Sequence, residues 1–179
     1  HMATIFGTNM GLDSNYLIVI LLVVQLVAFP FAILYGKMSV KYGVRNMILF
    51  GIATYMVVCL VALGLEPLRL MGEIPLLLGF VVLAFLVGTA QGGIQALSRS
   101  FYGKLVPESS ANEFFGFFDI FGKFSAVLGP FLFSLVWDST QQVHLGIIPV
   151  LLMFVIGLLL FLKVPSSMKK ITLGSHAEK

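Results

Sequence analysis

The amino-acid sequence predicts an all-α fold, a bundle of about five helices that cross a lipid bilayer. Its 179 residues are 59% hydrophobic and 11% charged, whereas soluble domains carry about 25% charged residues. The mean hydropathy is +1.03, and the apolar residues fall into long runs without the period-two alternation of a membrane β-barrel. Because lipid offers the backbone no hydrogen bonds, a helix is the structure that remains for a spanning segment.

Five runs are long enough to span. About 20 residues are needed, since a helix rises about 1.5 Å per residue across about 30 Å of hydrocarbon. Four of the runs are nearly free of charge, whereas the fourth along the chain contains Asp119 and Lys123. We expect one transmembrane domain over residues 1–179, with a cytoplasmic tail at 165–179. The predicted spans are 14–35, 46–65, 74–97, 112–137 and 145–164.

The basic residues between the spans predict the orientation. Loops rich in Lys and Arg stay in the cytoplasm, and five alternating spans then place the N-terminus outside and the C-terminus inside. Because no signal-peptide pattern precedes Tyr16, we expect a further helix upstream of this sequence. On the opposite side of the membrane, Arg69 is the only basic residue. Nine basic residues share the cytoplasmic side: Lys37, Lys41, Arg45, Arg99, Lys104, Lys163, Lys169, Lys170 and Lys179.

The composition also narrows the functional classes. The only cysteine, Cys59, cannot form an internal disulfide. The net charge of +3 comes from loop residues between apolar runs, which indicates membrane orientation rather than nucleic-acid binding. The three histidines are scattered, and neither a metal-ligand spacing nor a phosphate-binding loop is present. We therefore expect no catalytic residues, no metal, no cofactor and no enzymatic activity.

The first cytoplasmic loop, residues 35–46, contains two glycines and three basic residues. Glycines there permit a tight turn. One interpretation is that any short cytoplasmic loop collects such residues. The spacing Gly-x6-Gly-x-Arg instead resembles the loop motif of the major facilitator superfamily, although Val40 stands where that motif has an acidic residue. We predict a cytoplasmic gating loop made of Gly36, Lys37, Lys41, Gly43 and Arg45, together with Arg99 after the third span.

Small and amide residues are concentrated at the end of the third span. Gly88 and Gly92 form a Gly-x-x-x-Gly step, which allows another helix to approach closely. Gln91 and Gln95 lie four apart on one helical face. They either form hydrogen bonds between helices or line a solute pathway, and we favour the pathway because buried amides need polar partners. Gln25 in the first span supports a polar pathway weakly.

The fourth span is the most unusual segment. Ser110 to Glu113 has the pattern of a capping box, which predicts the start of a helix. Asp119 and Lys123 lie four apart on the same helical face, so they can form an ion pair. One interpretation is that these residues only stabilise the bundle or reach toward the cytoplasmic interface. The other is that they act as a gate, a proton site or a partner for substrate charge. Gly116 and Gly122 allow close packing of this helix.

Two strings in the sequence carry a family resemblance. They are QGGIQALSRS at 91–100 and EFFG at 113–116 followed by GKF at 122–124. The chain resembles, over nearly all of residues 3–165, the vacuolar amino-acid effluxers linked to autophagy and their bacterial relatives in the major facilitator superfamily. That resemblance implies twelve helices in two halves, of which this chain would supply helices eight to twelve.

The resemblance also implies a function and partners. A small solute such as an amino acid would move by alternating access, with proton coupling as one option. The chain would sit in a bacterial cell membrane, and would need the missing half or other copies of itself. The alternative is a membrane module of another class, which self-associates through its glycine-lined faces and moves no solute.

Overall fold

The computed structural model describes residues 2–107 and 110–164, so the tail expected at 165–179 lies outside the described residues. Within the described part the chain is helical and contains no strand. A short 3-10 turn, Val143–Gly146, precedes the last helix. The helices are α1 (Met2–Asn9), α2 (Ser14–Tyr42), α3 (Val44–Leu63), α4 (Glu66–Met71), α5 (Glu73–Gly103), α6 (Ala111–Thr140) and α7 (Ile147–Leu162).

Five helical segments are long and apolar enough to cross a membrane, which confirms both the fold class and the number of spans. Helices α2, α5 and α6 do so individually, whereas α3 continues through α4 to Leu68 and the 3-10 turn continues into α7. The three long helices have 29, 31 and 30 residues. Each is therefore about 45 Å long and extends beyond the hydrocarbon into the headgroup region.

The predicted boundaries were wrong at the basic end of the bundle, which we define as the end where α2, α5 and α7 finish and α3 and α6 begin. Helix α2 continues to Tyr42, so Gly36, Lys37 and Lys41 are helical and not part of a loop. Long lysine side chains reach polar surroundings from a helix end, so charge does not terminate the helix. The break falls at Gly43, whose φ of 87° suits glycine and few other residues.

Helices α2 and α5 pack most extensively, because small residues let their backbones approach. A Cβ on Gly88 would lie 2.9 Å from the Val24 carbonyl oxygen, and a Cβ on Gly92 would collide with the Ala28 carbonyl oxygen. The glycines of the third span therefore serve close packing. Helix α3 lies against α5 and α7, while α6 lies against the 3-10 turn and α7.

The buried side chains form two clusters along the bundle. The larger one lies toward the end opposite the basic end and includes Phe6 and Met10, next to Leu65, Phe80 and Phe133. Phe6 stacks on Phe80 with 5.6 Å between ring centroids. The smaller cluster lies at the basic end and is built on Tyr35, Met47, Ile48 and Leu97. The segment before α2 is thus packed into the bundle.

Helix α6 buries few of its side chains for its length. Phe133 is its only buried residue among those described. Phe117, Phe121 and Phe124 are each at least 60% exposed, and a Cβ at Gly116 or Gly122 would have no atom within 4 Å. One long side of α6 is therefore open at the surface of the bundle.

Candidate functional site

An ion pair joins α5 to α6 at the basic end. Arg99 Nη2 lies 2.8 Å from Asp119 Oδ1 and donates a hydrogen bond to it. The sequence allows Asp119 to pair with Lys123, but in the described conformation Asp119 pairs with Arg99, and the ion pairs of the described residues include no contact between Asp119 and Lys123. The extended guanidinium of Arg99 reaches across to α6, so a partner on another helix replaces the one a turn away on the same helix.

Aromatic contacts reinforce the link between α5 and α6. The Tyr102 hydroxyl donates a hydrogen bond to the Phe114 carbonyl oxygen at 3.1 Å. The Tyr102 ring stacks on Phe118 at 4.7 Å and meets Phe115 edge-on at 5.6 Å between centroids. Sequence reasoning missed Tyr102, because an aromatic residue near the end of an apolar helix gives no signal of a specific partner.

The start of α6 was predicted well, although its cap was not. The helix begins at Ala111, directly after Ser110, as the capping-box pattern indicated. The Ser110 side chain makes no capping hydrogen bond, however. The backbone of Ser110 has φ −123° and ψ 15°, which is outside the extended conformation that an N-cap side chain normally requires.

Arg45 has a different contact from the other members of the predicted gating loop. Its Nη2 donates a 3.1 Å hydrogen bond to the carbonyl oxygen of Leu162, the last residue of α7. Carbonyl groups at a helix C-terminus lack intrahelical partners and carry partial negative charge. Arg45 therefore satisfies one of these groups and connects the start of α3 to the end of α7.

The predicted pathway amides lie along the same helix as Arg99. Gln91, Gln95 and Arg99 follow one another at intervals of four, so they share one side of α5. Gln91 is half-buried and Gln95 is exposed, and the hydrogen bonds described include none to either side-chain amide. Gln25 is exposed on α2. The structure thus brings together Arg99 and Asp119, with Lys123 one turn farther along α6.

A second polar contact lies at the opposite end of the bundle. His144 Nδ1, in the 3-10 turn, is 3.6 Å from Glu66 Oε2 at the start of α4. The contact is an ion pair when the imidazole is protonated. Sequence reasoning treated His144 as an isolated histidine, because no spacing rule relates two residues so far apart in the chain.

A cavity among the described helices is separate from these polar groups. Its volume is about 330 Å³, and its lining is almost entirely apolar. Tyr55 carries the only hydroxyl group in the lining, which also includes Val24, Phe80, Phe133 and Phe154. None of the predicted pathway residues lines this cavity. The candidate site is therefore the polar junction of α5 and α6, which faces an open surface.

The sequence is similar over most of its length to proteins named as effluxers and transporters. A family model described as vacuole effluxer Atg22 like matches residues 1–172. The uncharacterized MFS-type transporter YxiO of Bacillus subtilis (strain 168) is 43% identical over 164 residues, which cover 92% of this chain and 36% of the relative. Autophagy-related protein 22 of Pichia angusta is 40% identical over 63 residues, or 35% of this chain and 11% of that protein.

The same coverage holds for a further yeast relative. Autophagy-related protein 22 of Saccharomyces cerevisiae (strain ATCC 204508 / S288c) is 40% identical over 63 residues, which cover 35% of this chain and 12% of that protein. The chain spans about a third of the length of the Bacillus relative. No solved structure matches it.

Proposed function

The chain belongs to the family of vacuole effluxers like Atg22, and from this premise we propose that it is part of a secondary transporter that moves a small solute by alternating access. Its relatives carry the names of transporters and effluxers, and its five apolar helices make it an integral, multi-pass membrane protein. Amino acids are the proposed substrate class. The resemblance to vacuolar amino-acid effluxers and the chemistry of the α5–α6 junction support this choice.

The ion pair of Arg99 and Asp119 is the observation that carries the proposal. Ionisable side chains in membrane helices face the bundle interior or a water-filled cavity, and where they occur they mark routes for ions and solutes. An amino acid has a carboxylate and an ammonium group, and the junction offers complementary charges in Arg99, Lys123 and Asp119. The carboxyl group of Asp119 is also the proposed site at which a proton would be coupled to transport.

The amides extend this polar route along the helices. We assign Gln91 and Gln95 to the wall of the pathway because they share one side of α5 with Arg99. Gln25 is a more distant member, on α2. Amide groups both donate and accept hydrogen bonds, so they would replace water around a moving solute. The gating role belongs to the basic end, with Gly36, Lys37, Lys41, Gly43, Arg45 and Arg99 as its residues.

The open side of α6 supports a transporter that is incomplete as a single copy of this chain. A transport route needs walls on every side, whereas Phe117, Phe121 and Phe124 are exposed. Their partner is the remaining part of a longer transporter or other copies of this chain. The single transmembrane domain proposed for residues 1–179 would form one side of the complete pathway.

The family and the positions of the basic residues also support a proposed cellular location for the chain. We place the chain in a bacterial cell membrane, with the basic end in the cytoplasm, because loops rich in Lys and Arg are retained there. The N-terminus then lies outside and the C-terminus inside. The proposed partners are the lipid bilayer, the solute and the rest of the transporter, and no nucleic acid.

Uptake of radiolabelled amino acids into proteoliposomes tests the proposal. Where copies of this chain associate into a complete pathway, we expect uptake above that of protein-free liposomes, and a loss of about tenfold or more in Asp119→Asn and Lys123→Met, equivalent to about 1.4 kcal/mol in the barrier. The matched control is Asp138→Asn, which removes an exposed carboxylate from the other end of α6 and leaves uptake intact. Uptake that is unchanged in Asp119→Asn and Lys123→Met would contradict the assigned roles.

A second candidate function is a self-associating membrane module that transports nothing. The open space beside Gly116 and Gly122 supports it, because such a surface admits a closely packed helix from another copy. This function predicts a cross-linked dimer in liposomes together with no uptake of amino acids. A dimer that does take up amino acids would favour the transporter.

A further inference from the structure

The junction of α5 and α6 at the basic end has few contacts for two long neighbouring helices. Helix α6 is anchored at its other end, where Phe133 is 1% exposed and packs in the larger cluster. At the basic end, α6 is connected through the ends of side chains, namely the Arg99–Asp119 pair and the Tyr102 contacts. Displacement of this end of α6 from α5 therefore breaks few contacts.

The ion pair is suited to break and form again. The side chains of Arg99 and Asp119 are 60% and 49% exposed. Exposed pairs contribute little net free energy, because water and salt compete for both charges. The described contact joins Arg99 Nη2 to Asp119 Oδ1, and a carboxylate accepts further hydrogen bonds from a second cation.

Lys123 is the second cation within reach of Asp119. The two residues are four apart on α6, which is the spacing at which side chains on a helix meet. Lys123 is exposed and makes no ion pair among those the structure describes. Asp119 thus has one available partner on the neighbouring helix and another on its own.

We propose that Asp119 exchanges between Arg99 and Lys123, and that this exchange sets the separation of α5 and α6 at the basic end. When Asp119 binds Arg99, the two helices are connected. When it binds Lys123, α6 loses its charged connection to α5 and moves away. Phe117 and Phe121 lie two residues to either side of Asp119, on the opposite side of α6, and are exposed, which leaves room for this movement. The proposal rests on the proposed transport function for its purpose, and gives the basic end two defined positions.

The exchange predicts opposite effects for the two cations. Removing Arg99 leaves Asp119 with Lys123 only, which favours separated helices. Removing Lys123 leaves Asp119 with Arg99 only, which favours connected helices. If Arg99 and Lys123 merely supported the fold, removing them would not change the separation of α5 and α6 in opposite directions.

Distance measurement between spin labels tests the proposal without any need for transport. In a Cys59→Ala background, labels are attached through Ser100→Cys on α5 and Ser125→Cys on α6, both of which are exposed positions. In liposomes, we expect Arg99→Gln to move the distance distribution toward longer values and Lys123→Gln toward shorter ones. Each change in the ratio of populations should be about two- to fivefold, the size expected for an exposed ion pair.

Two controls separate exchange from damage to the fold. Lys104→Gln removes an exposed charge at the end of the same helix α5 and should leave the distances unchanged. The reciprocal variant Arg99→Asp with Asp119→Arg should restore a connected population that either single substitution abolishes. In Asp119→Asn, the further substitution of Arg99 or Lys123 should have no effect.

The outcomes distinguish this inference from the transport function. Shifts of the same sign for Arg99→Gln and Lys123→Gln, or no shift in either, would overturn the exchange. Opposite shifts in a chain that takes up no amino acids would support the exchange while the proposed function fails. Uptake of amino acids with unchanged distances between the labels would support the transport function and overturn the exchange.

Discussion

Different sites in this protein require glycine for different physical reasons. Gly43 is required by its backbone conformation, because its φ of 87° is strained for other residues. Gly92 is required by space, because a Cβ would collide with the Ala28 carbonyl oxygen of α2. Gly36 and Gly122 have neither requirement, since each is helical and has no atom within 4 Å of a Cβ. One residue type thus serves turns and close packing in the same bundle.

Substitution of Gly92 should reveal the close approach of α2 and α5. We expect Gly92→Ala to lower the free energy of unfolding by about 1–3 kcal/mol, because the carbonyl oxygen it meets belongs to the backbone and cannot turn aside. Thermal unfolding in detergent, followed by circular dichroism, measures the effect. Gly122→Ala is the matched control, and the helix propensity of alanine should make it neutral or stabilising by up to about 1 kcal/mol. Equal losses in both variants would contradict this packing.

The partner of Asp119 marks the limit of residue-level prediction. Sequence reasoning selected Lys123, because the spacing of four on one helix is readable without a structure. Arg99 is 20 positions away on another helix, so its contact depends on how α5 and α6 cross. The charged residues of the site were therefore predictable, whereas their pairing was not.

At the scale of helices, the sequence predicted which helices exist better than it predicted where they end. Apolar runs of about 20 residues identify spans, because lipid tolerates few alternatives. The apolar runs end at the edge of the membrane's hydrocarbon core, while the helices continue into the headgroup region. Helix α5 continues to Gly103, six residues beyond its predicted end at Leu97. Arg99 is consequently positioned by a rigid helix rather than by a loop.

The loose attachment of α6 gives a prediction at the same scale. Phe133 is nearly fully buried and lies against Gly146 of the 3-10 turn. We expect Phe133→Ala to lower the free energy of unfolding by about 3–5 kcal/mol, because it leaves a cavity at the anchored end of α6. Limited proteolysis in detergent should then cut α6 faster than in the parent chain.

Phe131→Ala serves as the control for that experiment. Phe131 is 58% exposed on the same helix, so its removal should change the free energy of unfolding by no more than about 0.5 kcal/mol. If both variants were equally stable, α6 would not be anchored through Phe133.

At the scale of the whole molecule, charge divides the bundle into two ends. The basic end carries Lys37, Lys41, Arg45, Arg99 and Lys104. The opposite end carries acidic residues, including Glu66, Glu73 and Asp138. Positive residues resist transfer across the membrane during insertion. The asymmetry therefore supports one orientation for all five spans together.

Labelling of single cysteines tests this orientation. In the Cys59→Ala background, Glu73→Cys and Lys104→Cys place thiols at exposed positions at the two ends of α5. We expect a membrane-impermeant thiol reagent to label the Glu73→Cys variant in intact cells. The Lys104→Cys variant should be labelled only after permeabilisation. The reverse pattern would place the basic end outside the cell.

The hydrogen bond from Arg45 to Leu162 also has a consequence for biosynthesis. The two residues are 117 positions apart, and a chain is made from its N-terminus onward. Arg45 is therefore inserted with the second span long before its acceptor exists. The bond forms only after the fifth span has been synthesised and has entered the bilayer. The bond therefore connects α3 to α7 only in a chain in which every span between them has been inserted.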